Sequence, residues 1–115
     1  MIYTVKEMHE MMGFEKGGVI MSTIVEYENI IAFHPGYYIA DIIEDMGISQ
    51  SEFADRMGIS SAMLNNIVNG RSGISCDIAK KLSVMLETSA DVWLNLQDIY
   101  ERKLHEIYLL KEVLE

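Results

Sequence analysis

The chain has 115 residues, half of them hydrophobic and 23% charged, which is enough apolar material for one domain with a packed core and excludes a disordered acidic tail. Eighteen acids against nine bases leave a net charge of −9, which argues against holding nucleic acid by bulk charge alone and favours a basic partner. One cysteine makes no internal disulfide, no apolar run is long enough to span a bilayer, and the start lacks a secretory pattern, so a cytoplasmic location is expected.

Residues 1–35 hold five acids and two bases and mix short periodicities. Lys16-Gly17-Gly18 can be encoded by a purine run such as AAA-GGA-GGN, the kind of sequence a bacterial ribosome binds, with Met21 at an initiation distance. This raises the reading that residues 1–20 are translated leader within an N-terminal extension of residues 1–33, and that they pack poorly. Val19 to Phe33 is rich in β-branched residues and reads as a short strand, or a strand followed by a helical turn.

Residues 34–89 read as four short helices cut by glycines. The first follows His34-Pro35-Gly36 and runs to about Met46, with Ile39, Ile42, Ile43 and Met46 on one face and Gly47 as terminator. The second begins at Ser49, where Ser49-Gln50-Ser51-Glu52 fits a capping box, and ends at Met57-Gly58. Ser60 caps a third that stops at Asn69-Gly70, and a fourth runs from about Ser75 to Leu86 with Ile78, Leu82 and Met85 or Leu86 facing in. Thr88 or Ser89 caps a fifth, with no glycine or proline from Ala90 to Glu115. Its stripe of Trp93, Leu96, Tyr100, Leu104 and Ile107 is read as core and dimer seam, because a helix apolar on more than one face needs more than one partner surface.

The informative stretch is Ser49 to Gly70. Two helices of about eight residues joined by Gly58-Ile59-Ser60 have the spacing of a helix-turn-helix, whose second helix can lie in the major groove. Ala54 is small where the pair must cross, and Ile59, Leu64 and Ile67 can anchor the second helix from within. Ser61, Ala62, Met63, Asn65 and Asn66 are left outside. Asn can bond adenine through two contacts, and Ala or Met can touch a thymine methyl. Gln50 can donate to a backbone phosphate. Bland readings stand beside these: solvent-facing asparagines, a Gln50 that merely neighbours a cap, and a Cys76 that is a small structural thiol. His9, His34 and His105 have no partner at ligand spacing, so no metal site or cofactor is expected. No phosphate loop, nucleophile triad or framed carboxylate pair is present, so no enzyme is expected.

Residues 34–100 resemble the HigA-type antitoxins of bacterial toxin–antitoxin modules, within the phage-repressor-like helix-turn-helix superfamily. The resemblance rests on His34-Pro35-Gly36, Gly47-Ile48-Ser49-Gln50, Ala54 with Gly58, Asn69-Gly70-Arg71, Ala79, and Trp93-Leu94-Asn95-Leu96-Gln97 with Tyr100. It implies an all-α, five-helix repressor-like fold, with four helices in a helix-turn-helix domain at residues 34–89 and a long C-terminal helix at 90–115 as the fifth. It further implies a homodimer that binds operator double-stranded DNA, represses its own operon and silences a basic HigB-type toxin, an mRNA endonuclease. By motif position Gln50 is the phosphate clamp, Ser60 the cap, Ser61, Ala62, Met63, Asn65 and Asn66 the groove face, and Asn69 and Arg71 lie near the backbone. The chain departs from the pattern in lacking Lys or Arg between Ala62 and Asn69, which implies a shallow salt dependence. Ile24, Val25, Tyr27, Ile30, Ile31 and Phe33 are expected at the toxin contact, being apolar and outside the five helices. A regulator without a toxin partner is one alternative, and an interaction module that has lost DNA is another.

Overall fold

The computed structural model describes residues 18–20 and 23–114. Among them are three strands, β1 (Gly18–Ile20), β2 (Ile24–Tyr27) and β3 (Ile30–Phe33), and five helices, α1 (Pro35–Met46), α2 (Gln50–Met57), α3 (Ser61–Val68), α4 (Cys76–Leu86) and α5 (Ala90–Leu114). The leader reading falls outside the described residues, save for Gly18–Ile20, which pair with β2.

From Gly18 to Phe33 the described residues form three strands and no helical turn, in an antiparallel meander of order β1-β2-β3. Glu28 and Asn29 join β2 to β3, with Glu28 in the left-handed region at φ 55°. Strand alternation sends Val25, Tyr27 and Ala32 inward, where they pack with Tyr100, Leu104 and Ile107 of α5. Each of these larger side chains contributes about 1.5–3 kcal/mol by leaving water. The extension thus carries a second core rather than lying outside the fold. A larger core at the other end of α5 gathers Ile39, Ile43, Phe53, Ala54, Leu64, Ile67, Ile78, Leu82 and Trp93. Met46, expected on the inner face of the first helix, is exposed at its last turn.

The caps follow the sequence signals with two refinements. Ser49 accepts the Glu52 amide at 3.0 Å, but the Glu52 carboxylate turns to Arg56 at 3.3 Å, so only half of the capping box forms. Ser89 accepts the Asp91 amide at 3.1 Å, while Thr88 takes the indole N–H of Trp93 at 3.0 Å.

Two sets of interaction residues are corrected by this packing. Trp93, Tyr100, Leu104 and Ile107 are buried within the subunit, and Leu96 is half-buried against the helical core, so this stripe is not a free dimer seam. The reason is that the helical core takes one half of α5's inner face and the sheet takes the other. Val25 and Tyr27 are likewise consumed beneath the sheet, and Ile24 and Ile30 are half-buried; only Ile31 and Phe33 of the expected toxin contact are exposed.

Candidate nucleic-acid interface

Three residues join the sheet to the helices and set the position of α3. The backbone N–H of His34 donates to the Thr23 carbonyl at 2.8 Å, closing the end of β3 onto the start of β2. Its ring caps α1: Nδ1 accepts the Gly36 amide at 2.8 Å, which leaves the ring proton on Nε2. The same ring meets Tyr100 edge to face, with centroids 5.0 Å apart. Burial raises the Tyr100 phenol, which stays protonated at neutral pH. Pro35 supplies the first helical residue, where no amide hydrogen is needed. Gly36 then lies against the end of α3: a Cβ here would overlap the Ile67 carbonyl oxygen and stand 2.9 Å from its carbon.

From that seat α3 points its other side outward. Ser60, Ser61, Ala62, Met63, Asn65 and Asn66 are exposed, and Leu64, Ile67 and Val68 are buried on the reverse. Ser60 accepts the Met63 amide at 3.0 Å and starts the helix. Ala54 is fully buried among the core residues, and Gly58 ends α2 at φ 77°.

The polar residues of this face are linked to one another. The Asn65 side-chain oxygen accepts from Gln50 Nε2 at 3.2 Å and from Asn69 Nδ2 at 3.0 Å. Asn69 also donates to the Asn65 backbone carbonyl at 2.8 Å. The Asn66 side-chain oxygen accepts from Arg71 Nε at 3.0 Å. The bonds form two sets, Gln50–Asn65–Asn69 and Asn66–Arg71, drawn from the start of α2, from α3 and from the loop that follows. With their oxygens engaged and both residues exposed, the amide N–H groups are the hydrogen-bonding capacity that Asn65 and Asn66 keep for an outside partner. That suits a donor contact to a purine N7 or to a phosphate; a two-point contact to adenine requires one internal bond to be released.

Charge is sparse here. Arg71 is tied to α3, whereas Arg56, Lys80 and Lys81 line a shallow groove with Met57, Val84 and Met85. Arg56 is paired with Glu52, and Lys81 with Asp77 at 3.3 Å.

Sequence spacing did not reveal what holds the loop carrying Arg71. Gln97, buried on α5, accepts the Ile74 amide at 2.8 Å and donates to Glu101 at 3.2 Å. Gly73 allows this approach, since a Cβ there would stand 2.8 Å from the Gln97 amide group. The available signal was Gln97 itself, a polar residue four positions after Trp93 on the buried side of the helix. Gln97→Leu leaves the Ile74 N–H without its acceptor, a loss of about 1–3 kcal/mol in stability. A thermal melt equal to that of the unmodified chain would show that the contact holds nothing.

A family model described as helix-turn-helix matches residues 39–93. An Escherichia coli K12 protein described as the uncharacterized HTH-type transcriptional regulator YddM is 32% identical over 66 residues, 57% of this chain and 70% of that protein. The solved structure of Pseudomonas aeruginosa antitoxin HigA with the higBA promoter is 32% identical with a TM-score of 0.65, covering 70% of this chain and 89% of that one. The chain belongs to the HigA-type antitoxins of the phage-repressor-like helix-turn-helix family. Antitoxin GraA in complex with its operator is similar too, at 31% identity and a TM-score of 0.66 over 77% of this chain and 92% of that one. The five helices and the long last helix of this HigA-type chain match the family fold, with the small sheet as a minor addition. Among the described residues no helix is long and apolar enough to cross a membrane, and no group of His, Cys, Asp and Glu is arranged to hold a metal ion.

Proposed function

We propose that this chain is an antitoxin that binds operator DNA as a homodimer, represses its own operon and neutralises a basic HigB-type toxin by direct contact. The observation that carries the DNA reading is the exposed, internally braced face of α3, with Asn65 and Asn66 held by Gln50, Asn69 and Arg71. The solved relatives bound to a promoter and to an operator support it. On this reading Ser60 and Gln50 sit at the phosphates, Ser61, Ala62, Met63, Asn65 and Asn66 enter the groove, and Asn69 and Arg71 approach the backbone.

The toxin contact is assigned to the outer face of the sheet. Ile24 pairs across with Phe33, and Glu26 with Ile31, so these four share the face turned from α5. Phe33 continues onto Tyr37 of α1 with ring centroids 5.5 Å apart. This exposed apolar and aromatic patch, on a chain of net charge −9, complements a basic partner.

The test has two arms. In a mobility-shift titration on the DNA upstream of its own gene, the chain binds with a shallow salt slope of about −2 to −4 in log K against log salt. The slope reflects few phosphates neutralised per subunit. A slope steeper than about −6 contradicts the small number of phosphates neutralised, and no shift contradicts the groove assignment. Co-expression with the product of the adjacent gene yields a co-purifying complex and relieves growth arrest. Arrest without a complex would retire the toxin reading and leave the DNA reading standing.

A further inference from the structure

With the Trp93 stripe buried, α5 still carries a second repeat on the opposite side. Val92, Asn95, Ile99, Arg102, Glu106, Leu109 and Val113 are all exposed. Their spacing alternates strictly between three and four residues, the heptad pattern of a helix packed against another helix. Four of the seven are among the exposed large hydrophobics of the protein, with Val113 at 81%. Asn95 to Val113 covers about 27 Å of helix.

We propose that this stripe is an antiparallel two-helix seam between two copies of the chain, with Ile99 facing the partner's Leu109 and Arg102 facing the partner's Glu106. It rests on the reading of the chain as a dimer and names the surface that makes it one. The argument is self-complementarity. In this register the two central layers are opposite-charge pairs, flanked on each side by an apolar layer, with Asn95 against the partner's Val113 beyond. Both copies satisfy the same pairing, as a two-fold interface demands. Parallel alignment would instead place Arg102 on the partner's Arg102 and Glu106 on the partner's Glu106. A slip of one layer in either direction would set Arg102 against the partner's Arg102 or Glu106 against the partner's Glu106. The charged layers therefore select orientation and register. In the single chain Arg102 pairs with Asp98 at 3.0 Å and Lys103 with Glu106 at 3.5 Å, both exposed and weak enough to exchange for contacts across the seam. The face is open because the two cores occupy the other side of the same helix.

Self-association of the full chain, measured by sedimentation velocity without DNA or toxin, decides the matter. The unmodified chain sediments as a dimer. Arg102→Glu gathers four carboxylates at the centre and weakens the dimer about 100-fold, as Glu106→Arg does by gathering four cations. An equimolar mixture of those two variants recovers a dimer of near-original affinity. At concentrations low enough for the parent to be monomeric, the parent and both variants melt together, because the altered side chains touch no core. Orientation is read by disulfide capture in a Cys76→Ser background. Ile99→Cys and Leu109→Cys chains cross-link when mixed and not when oxidised alone. If Arg102→Glu remains as dimeric as the parent, the seam is wrong while the dimer reading survives on another surface. If the parent is monomeric at about 100 μM, both fall. If the mixture does not recover, or Ile99→Cys links to itself, the antiparallel register is wrong.

Discussion

Gly36→Ala is expected to lower the melting temperature by roughly 10 °C and to weaken operator binding in protein that is still folded. The added methyl has nowhere to go, because the obstructing atoms are the backbone oxygen and carbon of Ile67 rather than the end of a flexible side chain. That oxygen is itself committed, accepting the Gly70 amide at 3.0 Å where α3 turns into its loop. Relief requires the start of α1 to back away from the end of α3. Overpacking of this kind costs about 2–3 kcal/mol, which at this chain length corresponds to the shift stated. The same movement pulls on the His34 cap and tilts the recognition helix. Differential scanning calorimetry with a binding titration well below the melt separates the two effects. A melting temperature within about 2 °C of the parent would show that α1 and α3 are not locked at this point.

The combined substitution Asn65→Ala and Asn66→Ala is expected to do the reverse, leaving the melt nearly unchanged while removing operator affinity. Both side chains are exposed, and the groups they hold, Gln50, Asn69 and Arg71, can turn to water when released. Each good base contact is worth about 1–3 kcal/mol, so the pair together weakens binding by about 30-fold or more. The bracing sharpens the expectation. Because the Asn65 oxygen already accepts two bonds, its N–H group is the part expected to meet DNA. Asn65→Asp therefore loses more affinity than Asn65→Ala, since it replaces that donor with a negative charge facing phosphates. Fluorescence anisotropy on the operator reads all three variants. Equal binding by the double variant and the parent would remove these residues from the interface.

The two variants separate what holds α3 from what α3 offers. Gly36 and Gln97 act through backbone, one by permitting contact with Ile67 and the other by accepting the Ile74 amide. The asparagines act through side chains that the fold leaves outside. A loss of DNA binding that tracks stability points to the first group, and a loss without it points to the second.

Local chemistry made most of the helical architecture legible. Prolines, glycines and small hydroxyl residues act within a few positions of themselves, so Ser49, Ser60 and Ser75 cap helices and Gly47 and Gly58 end them as their neighbours demand. The outward placement of Ser61 to Asn66 follows equally from helical periodicity beside Leu64 and Ile67. What periodicity does not encode is the identity of the surface that covers an apolar stripe. Trp93, Tyr100, Leu104 and Ile107 have the spacing of a seam, yet only the packed chain shows the sheet and the helical core lying on them. Strand pairing of residues 18–33 belongs to the same class, because register depends on a partner strand and on the helix beneath. So do the close approaches at Gly36 and Gly73, each set by a residue more than twenty positions away in the chain. Short-range forces are written in order along the chain; burial is decided only when distant segments compete for the same face.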